Sequence, residues 1–159
     1  MEFITYGKQA SIWRDGYTVL WVADQGEAHE NVMVGWRLCK ERLGPPHFPR
    51  VDRIAPYNGH PCAWMEFVPG PLPRQWNESE ANAILTELKA ANIWHRDIRL
   101  INLLQRPTGE WCLMDFGWAC DYSKPYKAPW YLGAEGRKAR GVQDDDYAMS
   151  VVKRRLGGG

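Results

Sequence analysis

The sequence predicts an α+β fold in two small parts with a cleft between them. Three observations carry that prediction. Residues 2–24 read as short β-prone runs around a hairpin signal, residues 27–43 read as one helix, and the half after Pro69-Gly70-Pro71-Leu72-Pro73 reads mostly as helix and loop. The divisions fall at 1–66 for the β-rich part, 67–73 for the link, 74–156 for the helical part and 157–159 for a glycine tail. A cleft between two such parts is a favoured place for a ligand.

Each element follows from its residues. Phe3 to Tyr6 is short and β-prone, and Ala10 to Arg14 and Tyr17 to Ala23 flank Asp15-Gly16, a strong hairpin signal. Over 27–43 the apolar residues Val32, Val34 or Trp36, Leu38 and Leu43 recur between charges, and Gly44-Pro45-Pro46 stops the helix. After the irregular stretch His47 to Arg53, Arg53 to Tyr57 and Ala63 to Phe67 form two strands joined at Asn58-Gly59. Asn77 caps the next helix and Glu80 completes a capping box, with Ala81, Ile84, Leu85, Leu88 and Ala91 at helical spacing. Asn92 suits the left-handed position that ends it. Leu103-Leu104 and Trp111 to Met114 make a short β pair around the turn Pro107-Thr108-Gly109, residues 118–143 are loop, and Asp144 to Leu156 is a final helix.

Composition narrows the function classes. Of 159 residues 45% are hydrophobic and 25% charged, the balance of a soluble domain, and the net charge of +1 leaves no footprint for nucleic acid or a membrane surface. Nine tryptophans point to core packing. Cys39, Cys62, Cys112 and Cys120 make no CxxC and read as reduced, buried thiols. The opening MEFITYGKQASIW lacks a leader pattern and no long apolar run follows, so an intracellular, cytoplasmic protein is expected.

Three polar residues stand in apolar surroundings between Ile93 and Ala119. Asp97 follows a helix by a few residues, where a carboxylate can take the proton of a hydroxyl nucleophile. Asn102 offers a neutral oxygen, and Asp115 ends the apolar run Cys112-Leu113-Met114 just before Phe116-Gly117. Mg²⁺ takes oxygen ligands and binds through one or two carboxylates plus substrate phosphates. Phosphoryl transfer asks a protein mainly to position groups and neutralise charge.

These residues carry a resemblance. HRDIRLIN (His95–Asn102) resembles the catalytic loop of the eukaryotic-type protein kinases and MDFG (Met114–Gly117) their metal-binding motif. LTELKAANIWHRD resembles the helix leading into that loop, AWMEFVPGPL the strand and hinge that bind adenine, APWYLGAE the end of an activation segment, and DDYAMSVV a helix anchoring the second lobe. The resemblance implies a two-lobed kinase-like fold with a small β-rich first lobe and a truncated, mainly helical second lobe. It implies a phosphotransferase using ATP and Mg²⁺, acting on Ser or Thr of a protein substrate. Asp97 would be the base, Asn102 and Asp115 would hold Mg²⁺, and Arg99 would contact the transferred phosphate. Gly7 and Lys8 would lie over the phosphates, and Met65, Glu66, Phe67 and Val68 would line the adenine site. His95 and Phe116 would pack, and Asp145 would accept from the catalytic-loop backbone.

The chain departs from that pattern in its first half. YGKQASIW has one glycine where a phosphate cradle uses several, and Trp21 stands where the third strand should carry a lysine. Lys8, or else Arg14, would replace that lysine, and Glu30 or Glu27 would be its partner. Tyr122, Ser123 and Tyr126 are candidate phosphorylation sites, and Asp121 is a candidate fixed charge near Arg96. The second lobe lacks its later helices, so a partner or a second copy would cover it. Two alternatives stand beside the enzyme: a pseudokinase acting as a regulatory module, and a kinase of small molecules.

Overall fold

Strand pairing in the first half follows the alternation of its side chains. The computed structural model describes residues 1–7, 9–24, 29–128 and 144–158. β1 (Glu2–Tyr6), β2 (Ala10–Asp15) and β3 (Thr18–Ala23) form an antiparallel meander. The tight turn falls one residue later than Asp15-Gly16, because Asp15 pairs with Thr18 and Gly16, at φ +61°, leads the two-residue loop Gly16-Tyr17. After α1 (Val34–Arg42), β4 (Val51–Ile54) and β5 (Cys62–Glu66) complete a five-stranded sheet of order β1-β2-β3-β5-β4, all antiparallel. Asn58 and Gly59, at φ +50° and +79°, turn the chain between them, with Tyr57 bridging His60. β3 is buried on both faces. Val19, Trp21 and Ala23 point into the main core, while Leu20 and Val22 pack with Cys62 beneath Trp13, Tyr57 and Trp64.

Helix α1 is shorter than the 27–43 the periodicity predicts. Residues 30–33 form turns and the helix starts at Val34, with no side-chain cap at Met33 and no acid in the first turn. Lys40 and Arg42 in its last turn suit the negative end of the helix dipole. Gly35 brings the helix onto the backbone of 116–119: a Cβ there would overlap the Phe116 carbonyl and lie 2.8 Å from Ala119 Cβ.

The second half begins with α2 (Glu78–Ala90), capped as predicted by Asn77, whose side chain accepts from Glu80 N at 3.1 Å. The other half of the capping box does not form. The Glu80 carboxylate instead accepts from His47 Nε2 at 2.9 Å and Trp111 N at 3.1 Å, tying α2 to the strands beside it. Asn92 takes φ +56°, as its place after the helix predicts. A 3₁₀ turn at Leu100–Asn102 precedes β7 (Leu103–Gln105), which pairs with β8 (Trp111–Leu113). The predicted loop after 118 holds one more strand: β9 (Cys120–Asp121) pairs with β6 (Ile93–Trp94). α3 (Asp145–Arg155) follows, capped by Asp144.

The structure is thus α+β, with a five-stranded antiparallel sheet and three helices among the described residues. One apolar core runs from Ala10 on the sheet through Trp36 of α1 and Ile84 of α2 to Val152 of α3. The four cysteines are buried thiols. No helix among the described residues is long and apolar enough to cross a membrane.

Candidate functional site

A cleft of about 740 Å³ opens between the sheet and the turns that follow α2. Gly7, Gln9 and Ile12 form its roof and Val19, Trp21 and Met65 its back, while Asp97, Asn102 and Asp115 lie along its floor. Three polar residues legible in the sequence therefore meet in one cavity.

The floor is held from below. Arg96 and Asp115 adopt φ +68° and +57°, a left-handed backbone that non-glycine residues seldom take and that surrounding contacts must impose. Asp145, at the start of α3, accepts from the backbone N–H of both His95 and Arg96 at 2.8 Å. Burial pushes its carboxyl up to about 6 against the pull of those two bonds. His95 is fully buried; its Nδ1 accepts from Asp97 N at 3.1 Å and its Nε2 lies 3.0 Å from Met114 O. That pattern sets the proton on Nε2. One imidazole thus joins the turn bearing Asp97 to the turn bearing Asp115.

Asp97 is buried, with 4% of its surface exposed. Burial and then the neighbouring Asp115 push it up to about 7, opposed by Arg99 and Asn102. Arg99 reaches back over it, Nε to Oδ1 at 2.9 Å and Nη2 to Oδ2 at 3.4 Å. The Asn102 Nδ2 donates to Asp97 O at 2.8 Å and to Oδ2 at 3.3 Å, leaving the amide oxygen as an acceptor. Asp115 is also raised by burial, while Gly117 N–H, donating to its Oδ1 at 3.2 Å, and Arg99 favour its charged form. Among the described residues no three His, Cys, Asp or Glu side chains cluster as a metal site.

The back wall is aromatic. Trp21 is buried 5.6 Å from Trp36, Trp36 is 5.7 Å from Phe116, and Phe116 meets His95 edge-on at 4.8 Å. This column joins sheet, α1 and floor, and occupies the wall where a lysine and its acidic partner were expected. Glu30 is exposed in the turns before α1. The Arg14 guanidinium lies over the Phe67 ring at 3.7 Å and is not among the cleft-lining groups. Lys8, Glu27 and the stretch Pro129 to Glu135 lie outside the described residues.

Met65, Phe67 and Val68 line the side of the cleft. Glu66 does not, since strand alternation turns its carboxylate to Arg106 Nη2 at 2.8 Å. Asp121 is engaged by Arg42 at 2.8 Å and by Asn92 at 3.0 Å, not by Arg96. Arg96 instead donates to Trp118 O at 3.0 Å and Tyr126 O at 2.6 Å. Tyr122 and Ser123 are exposed, while Tyr126 is half-buried with its hydroxyl 3.2 Å from Ala119 O.

Two contributors escaped the sequence. His29 stacks on Trp118 at 4.0 Å and 11°, with Nε2 2.9 Å from Gly117 O. Burial, the leading cause, lowers its pKa. Gln9 reaches from the roof toward Gly117. Neither has a local signal, because each partner lies 88 residues or more away in the chain.

No protein-family model matches this chain, and no curated protein matches it.

Proposed function

We propose that this chain has a two-lobed kinase-like fold and is a Mg²⁺-dependent phosphotransferase that moves the γ-phosphoryl group of ATP to a hydroxyl, most readily a Ser or Thr of a protein. The observation that carries this reading is the meeting of Asp97, Asn102 and Asp115 on one cleft floor. The oxygens at hand, the Asp115 carboxylate and the Asn102 amide, are hard donors that suit Mg²⁺. When bound, the cation would neutralise phosphate charge.

The chain's own residues supply the rest. Asp97 accepts the proton of the attacking hydroxyl as the new P–O bond forms and the bridging P–O bond to ADP breaks. Burial raises the Asp97 carboxyl above the usual range, which makes it a stronger base for that transfer. Arg99 sits beside Asp97 and, once a substrate competes for it, can turn to the transferred phosphoryl group. Met65, Phe67 and Val68 offer an apolar side for a flat base.

A second reading, a pseudokinase that binds without turnover, draws on Trp21. It fills the wall where the resemblance expects a lysine, and Arg99 is already spent on Asp97. Calorimetric titration with ATP, with and without Mg²⁺, separates the readings. The enzyme reading expects Mg²⁺-dependent binding that Asp115→Ala abolishes, followed by measurable ADP release. Metal-independent binding without turnover supports the pseudokinase, and no binding under either condition removes the nucleotide-site reading.

A further inference from the structure

Gln9 immediately precedes β2 on the roof of the cleft and is 8% exposed. Its Oε1 is buried and has no hydrogen-bond partner among the described residues. Buried amide oxygens are rarely left so, and one that lines a cavity points to something the cavity receives. The oxygen lies against the Cα of Gly117: a Cβ built there would overlap Gln9 Oε1 and stand 3.3 Å from Asp115 Oδ1. Gly117, by lacking a side chain, lets Gln9 Oε1 come down against its Cα, beside the Trp21 ring and on the side of Asp115. Gly117 N–H donates to Asp115 Oδ1 at 3.2 Å, and no donor among the described residues reaches Gln9 Oε1. Asp115 offers an acceptor, and Arg99, the basic residue among the described cleft-lining groups, is turned to Asp97. Gln9, Asn102 and Asp115 line the same cleft, and an unpaired amide oxygen in a cleft that also holds a carboxylate is of the kind that a hard divalent cation satisfies.

We propose that Gln9 Oε1 is a further ligand of the divalent cation, acting from the roof together with Asp115 and Asn102 on the floor. This rests on the phosphotransferase reading above and extends it. The cation would then tie sheet to floor, a link that the aromatic wall at Trp21 cannot make by charge.

The test is Mn²⁺ binding to the full chain, followed by the loss of the free Mn²⁺ electron paramagnetic resonance signal, alone and with ADP. Gln9→Leu keeps the bulk and removes the oxygen. It should weaken Mn²⁺ binding on the order of 10-fold, as loss of a supporting metal contact does. Its metal-free melting temperature should be unchanged or higher, because an unsatisfied buried acceptor is gone. Gln9→Glu should bind Mn²⁺ at least as tightly as the native chain. Mn²⁺ affinity unchanged in Gln9→Leu, with Asp115→Asn abolishing it, overturns the proposal and leaves the phosphotransferase reading standing. Absence of Mn²⁺ binding by the native chain, with or without ADP, overturns both. Weakened binding together with a lowered metal-free melting temperature in Gln9→Leu assigns Gln9 a packing role and also overturns the proposal, provided that Gln9→Glu fails to retain affinity.

Discussion

His95 has both ring nitrogens committed within a buried site, and this makes it an acid-sensitive joint. Burial lowers its pKa from 6.5 to about 4, with Met114 O opposing that shift. A histidine held neutral in the fold but free to protonate when unfolded contributes stability that is full above 6.5 and is lost as pH falls toward 4. The loss should approach about 3 kcal/mol across that window. His95→Phe should cost about 2 kcal/mol at pH 7 by orphaning Met114 O and Asp97 N, yet show a shallower decline below pH 6.5 in urea denaturation. An equally steep decline in the variant would assign the acid sensitivity to other groups. At this scale Asp97, Asn102 and Asp115 were legible, because their polar side chains interrupt apolar runs over a span of 19 residues. Gln9 and His29 were not, because a polar residue in a loop or turn has no local feature that names a partner so far along the chain.

Helix α1 shows how one glycine sets the depth of an element. With Gly35 against the Phe116 carbonyl, α1 lies close enough for Trp36 to enter the aromatic column. Gly35→Ala improves helix propensity by about 1 kcal/mol, but the overlap is with backbone, which cannot rotate away. The net expectation is a loss of about 2 kcal/mol or more, which thermal melts check. A neutral or stabilising Gly35→Ala would mean that α1 does not rest on 116–119. Element boundaries were legible where a cap or a breaker marks them, at Asn77, Asn92 and Gly44-Pro45-Pro46. The start of α1 was misjudged because apolar spacing continued through turns that carry no cap. β9 was missed because a two-residue strand has no periodicity to read.

Across the whole molecule, sheet and helical half are tied by Arg106. It donates to Glu66 Oε1 at 2.8 Å, to Pro46 O at 2.7 Å and to Phe48 O at 3.3 Å. Glu66 and Arg106 expose only 15% and 14% of their side chains, so removing one strands the other in a site poor in water. Arg106→Ala should cost about 3 kcal/mol, and the double variant with Glu66→Ala should cost less than the sum of the singles. Additive losses in that cycle would show that the two side chains act independently. The sequence by itself determined the order of the longer elements, the α+β class and the three polar residues of the floor, since these follow from local propensity and from polar groups placed among apolar ones. Tertiary structure alone decided that those residues share a cleft, that Glu66 faces Arg106 rather than the cavity, that Asp121 meets Arg42, and that an aromatic column fills the back wall. The physical reason is range. Backbone preference acts over a few residues, whereas burial, pairing of charge and the satisfaction of polar groups depend on neighbours that only the folded chain brings together.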